Sequence, residues 1–474
     1  GTLSLGWDNY LFLELTGRQE RSSTLKDQSF FYPSANLSFL FTQAFHMPSW
    51  WNYGKLRLSY GIVGNAPETY TANIVYEQGS DNGFTWNTIP SSWGNADIHP
   101  EKKYEYEIGL ESKFLNNRLG IDISYYNNRV KDQILSTPQP STSGVKNVLM
   151  NVGEVANRGW DISISATPIL TRDFRWDLTA NYGVYKNKVV KLADGVPYLE
   201  ILNSGGSGIK IQAVEGQPMG DIYAQVPQVN ENGEYLVSDK GLYLNQTELQ
   251  KVGNINPAGV GGLFNSFSYK NVFLDFSIDF RIGGDVINEM NQYATAVGLT
   301  PESLKYRDTE HCGLSYYYPG DNNSSGIPVQ VDPSTGAGPN GEIIYHDGII
   351  LPGVVASTGE RNTRIIPAGY YYNTTYNWGT EAEQLTYRHS VFDNSYVKLR
   401  ELTIGYQFPE KMISKLGLGR LSVSVFGRNL FYFYKALKNY DAESSVGTSW
   451  ANQATVGSST TATRSFGVSL RASF

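Results

Sequence analysis

The residues best equipped for chemistry in this sequence are flat rings set in polar, turn-rich stretches: Trp86 and Trp93 in one, and Tyr316, Tyr317, Tyr371 and Trp378 in another. Such rings stack on sugar faces or peptide side chains, which is binding chemistry and breaks no bonds. A hydrolase needs a nucleophile with a base, or two carboxylates in a cleft, and no G-x-S-x-G or H-E-x-x-H spacing occurs. His46, His99, His311, His346 and His389 lack zinc-ligand spacing, and the lone Cys312 excludes an internal disulfide. The sequence therefore reads as a binder, not an enzyme. A second set of candidates is charged: Glu105, Glu107, Asp279, Arg281 and Arg428.

Most of those charges lie in segments of strict alternation, the signature of strands with one apolar and one polar face. In the last segment Phe466, Val468, Leu470, Ala472 and Phe474 interleave with Ser465, Gly467, Ser469, Arg471 and Ser473. The same division runs through 104–114, 119–126 and 274–282, so Glu105, Glu107, Asp279 and Arg281 share the polar side. Segments 160–166, 176–184, 402–408, 421–425, 11–18 and 56–62 follow suit, which predicts about thirteen strands in all.

Composition agrees with a β-rich, amphipathic chain. There are 48 Gly, and 33 Tyr far outnumber 21 Phe and 9 Trp, while charged residues make up only 18%. The formal charge is −7 with no basic block, which excludes nucleic acid as a partner. No run of 18 apolar residues occurs, so no transmembrane helix is predicted. A membrane β-barrel is still open, because its strands average to a hydropathy that looks soluble.

The links decide between a barrel and a soluble sandwich. Backwards from Phe474 they alternate: 432–462 long, 409–419 short, 284–395 very long, 270–272 short, 189–259 long, 169–173 short. The rhythm continues with 135–157 long, 115–117 short, 64–102 long, 46–53 short, 21–31 moderate and 7–9 short. Short turns on one side and long loops on the other are what an outer-membrane barrel shows, with the long loops extracellular. A carbohydrate-binding adhesin built as a β-sandwich would share the stripes and the aromatics but not this parity. The stretch 312–380, rich in Gly, Pro, Asn and Tyr, is expected to present exposed aromatic platforms rather than a helical core.

Several motifs in order carry a resemblance: KLRLSYGIVGN (55–65), YEYEIGLESKFLNNRLGIDISYYNNRVKDQIL (104–135) with its turn at Asn116-Asn117, NVGEVANRGWDISI (151–164) and EGQPMGDIYA (215–224). They are followed by VGNINPAGVGGLFNSFSYKNVFLDFSIDFRIGGDVIN (252–288), ESLKYRDTEH (302–311), SYVKLRELTIGYQFP (395–409) and VSVFGRNLFYF (423–433). Together these resemble the SusC/RagA-like TonB-dependent outer-membrane transporters of Bacteroidetes.

The resemblance implies an all-β transmembrane antiparallel barrel of about 22 strands, an N-terminal plug, and import energised by TonB. It implies as partners a SusD-like surface lipoprotein, outer-membrane lipid and an oligosaccharide or oligopeptide ligand. A siderophore or vitamin receptor would share the barrel but lack the lipoprotein. Residues 1–474 are expected to be the C-terminal portion of that barrel, with plug and first strands supplied upstream. The terminal Phe474 resembles the signal read by the barrel-insertion machinery. No cofactor is expected, with one candidate to weigh: in 228–247 many relatives carry a dense acidic stretch, whereas here Asn230, Glu231, Asn232, Glu234 and Asp239 are sparse for calcium, which takes about six to eight oxygens.

Overall fold

The computed structural model describes the chain apart from residues 26–28, 70–72, 74, 91, 139–141, 143, 205–207, 321–325, 333–335, 378–386, 445–448, 458–461 and 474. Its frame is one 13-stranded antiparallel sheet in which every strand pairs with its sequence neighbour in the sheet. In chain order the strands are β1 (Thr2–Trp7), β2 (Leu11–Arg21), β3 (Ser29–Phe39), β4 (Trp51–Asn65), β5 (Glu101–Phe114), β6 (Leu119–Lys131) and β7 (Glu154–Leu170). They continue with β8 (Phe174–Lys191), β9 (Gly259–Tyr269), β10 (Val272–Ile282), β11 (Tyr396–Gln407), β12 (Arg420–Lys435) and β13 (Ser465–Ser473). The alternating segments read from the sequence fall inside these strands, most of which extend further at one or both ends.

Register turns the sequence stripes into continuous bands. Leu5, Leu13, Leu37, Leu58, Ile108, Tyr125, Trp160 and Val184 stand side by side across eight strands on one face. Several of these side chains are uncovered, Leu5 at 52% and Ile108 at 48% exposed, and the rest are at least partly open. In water such a stripe would cost roughly 25 cal/mol per Å² of apolar surface, whereas lipid removes that penalty. Rings border the band at both ends. Trp50 and Trp51 stack at 6.0 Å and Trp176 and Phe267 at 5.5 Å near the short links, and Tyr125 lies 4.9 Å from Trp160 toward the long ones. This is a girdled barrel wall, and among the described residues no helix is long and apolar enough to cross a membrane.

The short links are tight turns whose residues tolerate positive φ. Asp8 and Asn9 take 45° and 59° between β1 and β2, and Asn116 and Asn117 take 57° and 62° between β5 and β6. Asn and Asp accept this left-handed geometry more readily than branched residues do. The long links all leave the opposite end, as the parity predicts.

Three of those long links fold as one body. Ile209, Ile211, Ile222, Ala224 and Ile255 from 192–258, Ile287 and Val391 from 283–395, and Ala451 and Ala454 from 436–464 form a single buried cluster. Backbone pairs tie them further: Leu236–Val237 lies parallel to Val354–Val355, and Ile287 bridges Thr455. The links on the other side, 22–28, 66–100 and 132–153, share a smaller core in which Leu25 and Ile98 pack with Phe30 of β3, backed by Ile134 and Leu149.

One expectation fails here. Tyr370, Tyr371 and Tyr372 lie in a helix, Ala368–Tyr376, that packs on another, Glu289–Ala296, so the longest link contains a small helical core instead of an array of platforms. The cause is tertiary: Tyr372, 3% exposed, donates its hydroxyl to the Glu302 carbonyl, and Tyr376 stacks on His389 at 4.6 Å.

Candidate functional site

Alternation places every second side chain of the strands on the face opposite the apolar band. There Arg57, Gly109, Ser124, Asp161, Gly183, Val260, Arg281 and Tyr396 form one cross-strand row from β4 to β11. All of these but Gly109, with Asp122, Asn181, Gly262 and Asp279, line a basin of about 710 Å³. Its floor is low because Gly183 and Gly262 carry no side chain; a Cβ on Gly183 would meet Asp161 Oδ1 at 3.1 Å.

Charges on this face are arranged in clusters. On one flank Arg57 donates to both carboxylate oxygens of Asp122, at 2.6 and 3.3 Å, and to Ser124 at 3.2 Å, with Glu111 3.5 Å away. On the other flank Arg400 donates to Asp279 and, through both terminal nitrogens, to Glu443 at 2.9 and 2.5 Å, while Lys398 pairs with the same Glu443. Arg281 spends two donors on the backbone oxygens of Gly283 and Ile255, at 3.2 and 3.0 Å.

The charged candidates from the sequence all lie on this face. Glu105 pairs with Lys103 at 2.5 Å and accepts from Asn128, and Glu107 stands between Ser59 and Tyr126 in register. Asp279 and Arg281 line the basin, and Arg428 pairs with Glu401 at 3.0 Å. Arg57, Asp122, Asp161, Lys398, Arg400 and Glu443 were not singled out. The signal was present for the first five, which take the polar positions of alternating segments such as KLRLSY and YVKLREL. Glu443 has none, because it lies in an irregular link.

The aromatic candidates separate. Trp86 sits on a hairpin formed by Glu77–Asp81 and Phe84–Thr88 and is 46% exposed. Trp93 pairs through its backbone with Val148, and its indole nitrogen is buried. Tyr316 is a correction to the exposed-platform expectation. It is 2% exposed, stacks on Tyr345 at 5.4 Å and donates to Asp347, so it holds the link together. Tyr317 is its half-buried strand neighbour, and Tyr371 is half-buried against the core of Leu242, Ile349 and Leu351. Trp378 and Phe474 lie outside the described residues.

In 228–247 the oxygens are used within turns. Asn230 Oδ1 accepts from the backbone of Asn232 and Glu234, and Asp239 accepts from Ser357. Elsewhere in these links burial shifts titration. The His389 imidazole is lowered to about 4, by desolvation first and by the adjacent Arg388 charge second. Desolvation raises the Asp285 carboxyl above its ordinary value, against a hydrogen bond from the Asn254 backbone.

Known proteins share this architecture. Residues 1–222 match the family described as TonB dependent receptor-like, beta-barrel. TonB-dependent receptor P3 of Formosa agariphila is 24% identical over 80% of the chain, and the match spans 35% of that receptor. TonB-dependent receptor SusC of Bacteroides thetaiotaomicron is 30% identical over 48% of the chain and 24% of its own length. The chain thus spans between about a quarter and a third of the curated relatives it matches. Among solved structures the RagAB peptide transporter superposes with a TM-score of 0.63 at 18% identity, covering 91% of this chain and 43% of that one. With the girdled wall, the link parity and the ordered motifs, these matches support a SusC/RagA-like chain that forms part of the β-barrel of a bacterial outer-membrane protein.

Proposed function

We propose that this chain forms the lumen wall and extracellular cap of a TonB-dependent importer of oligosaccharides or oligopeptides that works with a SusD-like surface lipoprotein. The observation that carries this reading is the fused cap: three long links sharing one buried core stand at the rim of a wall whose inner face is a polar basin. A cap built that way offers a stable surface for a lid protein, and the basin offers orienting polar groups along the path below it.

The sheet's outer strands, β1 and β13, each have one neighbour. Unpaired backbone groups in lipid cost several kcal/mol each, so further strands must pair with both edges. We infer that an upstream part of the same polypeptide supplies them, together with a plug on which TonB acts.

Mass spectrometry of the assembly purified from outer membranes tests the proposal. A co-purifying lipoprotein and a retained glycan or peptide are expected. A receptor isolated alone with a bound iron chelate or vitamin would overturn it in favour of a lid-free receptor.

A further inference from the structure

The ion cluster at the top of β11 has the form of a carboxylate receptor that is already occupied. Arg400 presents its guanidinium fork to Glu443, each terminal nitrogen meeting a different carboxylate oxygen, and the Lys398 ammonium closes on the same group. This two-pronged geometry matches any carboxylate. The receptor belongs to the wall. Its occupant belongs to the 436–464 link.

Several features show that this position is built. Lys398 is 1% exposed, and a buried ammonium requires an anion. Register is irregular on both sides of Arg400, between Ser277 and Ile278 on β10 and between Leu399 and Glu401 against β12. Opposite the break Asn429 takes a φ of 53° and accepts from Arg400 at 3.0 Å. Bulges of this kind re-aim side chains at functional positions. The cluster also adjoins the basin, since Asp279, the third partner of Arg400, and Tyr396 on the same strand both line it.

The segment carrying Glu443 is strapped to the wall by a few more contacts. Asp441 accepts from the Tyr432 hydroxyl at 2.5 Å, Lys435 donates to the Tyr440 carbonyl and Asn394 to the Ala442 carbonyl.

We propose that Lys398 and Arg400 form a ligand-carboxylate site that Glu443 occupies in the resting protein, and that an incoming carboxylate exchanges with Glu443 and loosens the 440–444 segment. No bond is broken and no proton moves: one carboxylate replaces another. The proposal rests on the import reading only for the visitor's source, either an oligopeptide carboxylate or an acidic sugar.

The test is hydrogen exchange over 436–444 in the purified full-length receptor. Glu443→Ala is expected to speed exchange there by about tenfold, as a local opening would. Tens of millimolar acetate should reverse this, and chloride at equal ionic strength should not. Glu443→Gln repeats the measurement with the side-chain shape kept, and Arg400→Lys in that background should abolish the acetate effect because the fork is lost. Unchanged exchange in both Glu443 variants, or reversal by chloride as effective as by acetate, would overturn the proposal. So would speeded exchange that acetate leaves unaltered, since Glu443 would then be a structural pair only. A free-acid tripeptide, its C-terminal amide and a uronate oligosaccharide in the same assay assign the source, and failure of all three to match acetate would overturn the ligand role. These readouts need no transport, so they fail independently of the import proposal.

Discussion

The two groups of long links stand on the same end of the same sheet, yet they are built differently. The group at 192–258, 283–395 and 436–464 closes around nine buried apolar residues drawn from all three links. The group at 22–28, 66–100 and 132–153 has a smaller shared core, Leu25 and Ile98 closing on Phe30 of β3, and its hairpin lifts Phe84 and Trp86 into the open. In the first group Tyr316 and Tyr372 are used for packing inside their own link, while Tyr198, Tyr235 and Tyr370 stay exposed. In the second group Phe84 and Trp86 stay exposed, while Trp93 buries its indole nitrogen. Abundance of rings therefore does not locate a binding face; the surplus left after packing does.

The largest expected effect breaks the fused group directly. Ile222, fully buried in the shared cluster, should cost about 3 kcal/mol when cut to Ala. Hydrogen exchange should rise in all three links together while β1–β13 keep their protection. A rise confined to 192–258 would show the links to be independent and would undo the comparison. Ile98→Ala should loosen only the smaller group.

Acid should distinguish the groups next. His389 titrates near 4 when folded and near 6.5 when free, so the unfolded link takes up the proton first. Its contribution is complete above about pH 6.5 and is lost as pH falls toward 4, at up to about 1.4 kcal/mol per unit. Protection factors in 283–395, corrected for the slower intrinsic exchange in acid, should fall between pH 6.5 and 4, and His389→Gln should flatten that dependence. An equal fall in protection in the variant would remove the histidine from the account.

Trp86→Ala sharpens the other side of the comparison. Loss of one exposed stacking ring should weaken ligand uptake by about threefold to tenfold and leave barrel folding intact. Unchanged growth on the cognate ligand would assign the hairpin a different task. The smallest effect belongs to Arg428→Ala. Its pair with Glu401 is largely solvent-exposed and should contribute under about 1 kcal/mol by thermal unfolding.

Much of the frame could be read from residue types, and particular elements show why. The stripe from Phe466 to Ala472 and the turn at Asn116-Asn117 are local signals, set by the two-residue period of a strand and by which side chains tolerate positive φ. Tyr316 and Tyr318 hinted at their fate, since alternate residues of a strand share a side, but nothing nearby revealed Tyr345 or Asp347 waiting there. The Glu443 contacts were less legible still. The residues that receive it precede it by more than forty positions, and the link between has no period to follow.

The sequence by itself determined the strands, their polar and apolar sides, the side of the sheet from which each link leaves and hence the lipid-facing wall, because these follow from steric periods within a few residues. Tertiary structure alone decided which rings are spent on packing, which links fuse into one body and which carboxylate fills the Lys398–Arg400 fork. Those outcomes depend on burial and on charge pairs between segments far apart in the chain, and such interactions exist only once the whole fold has formed.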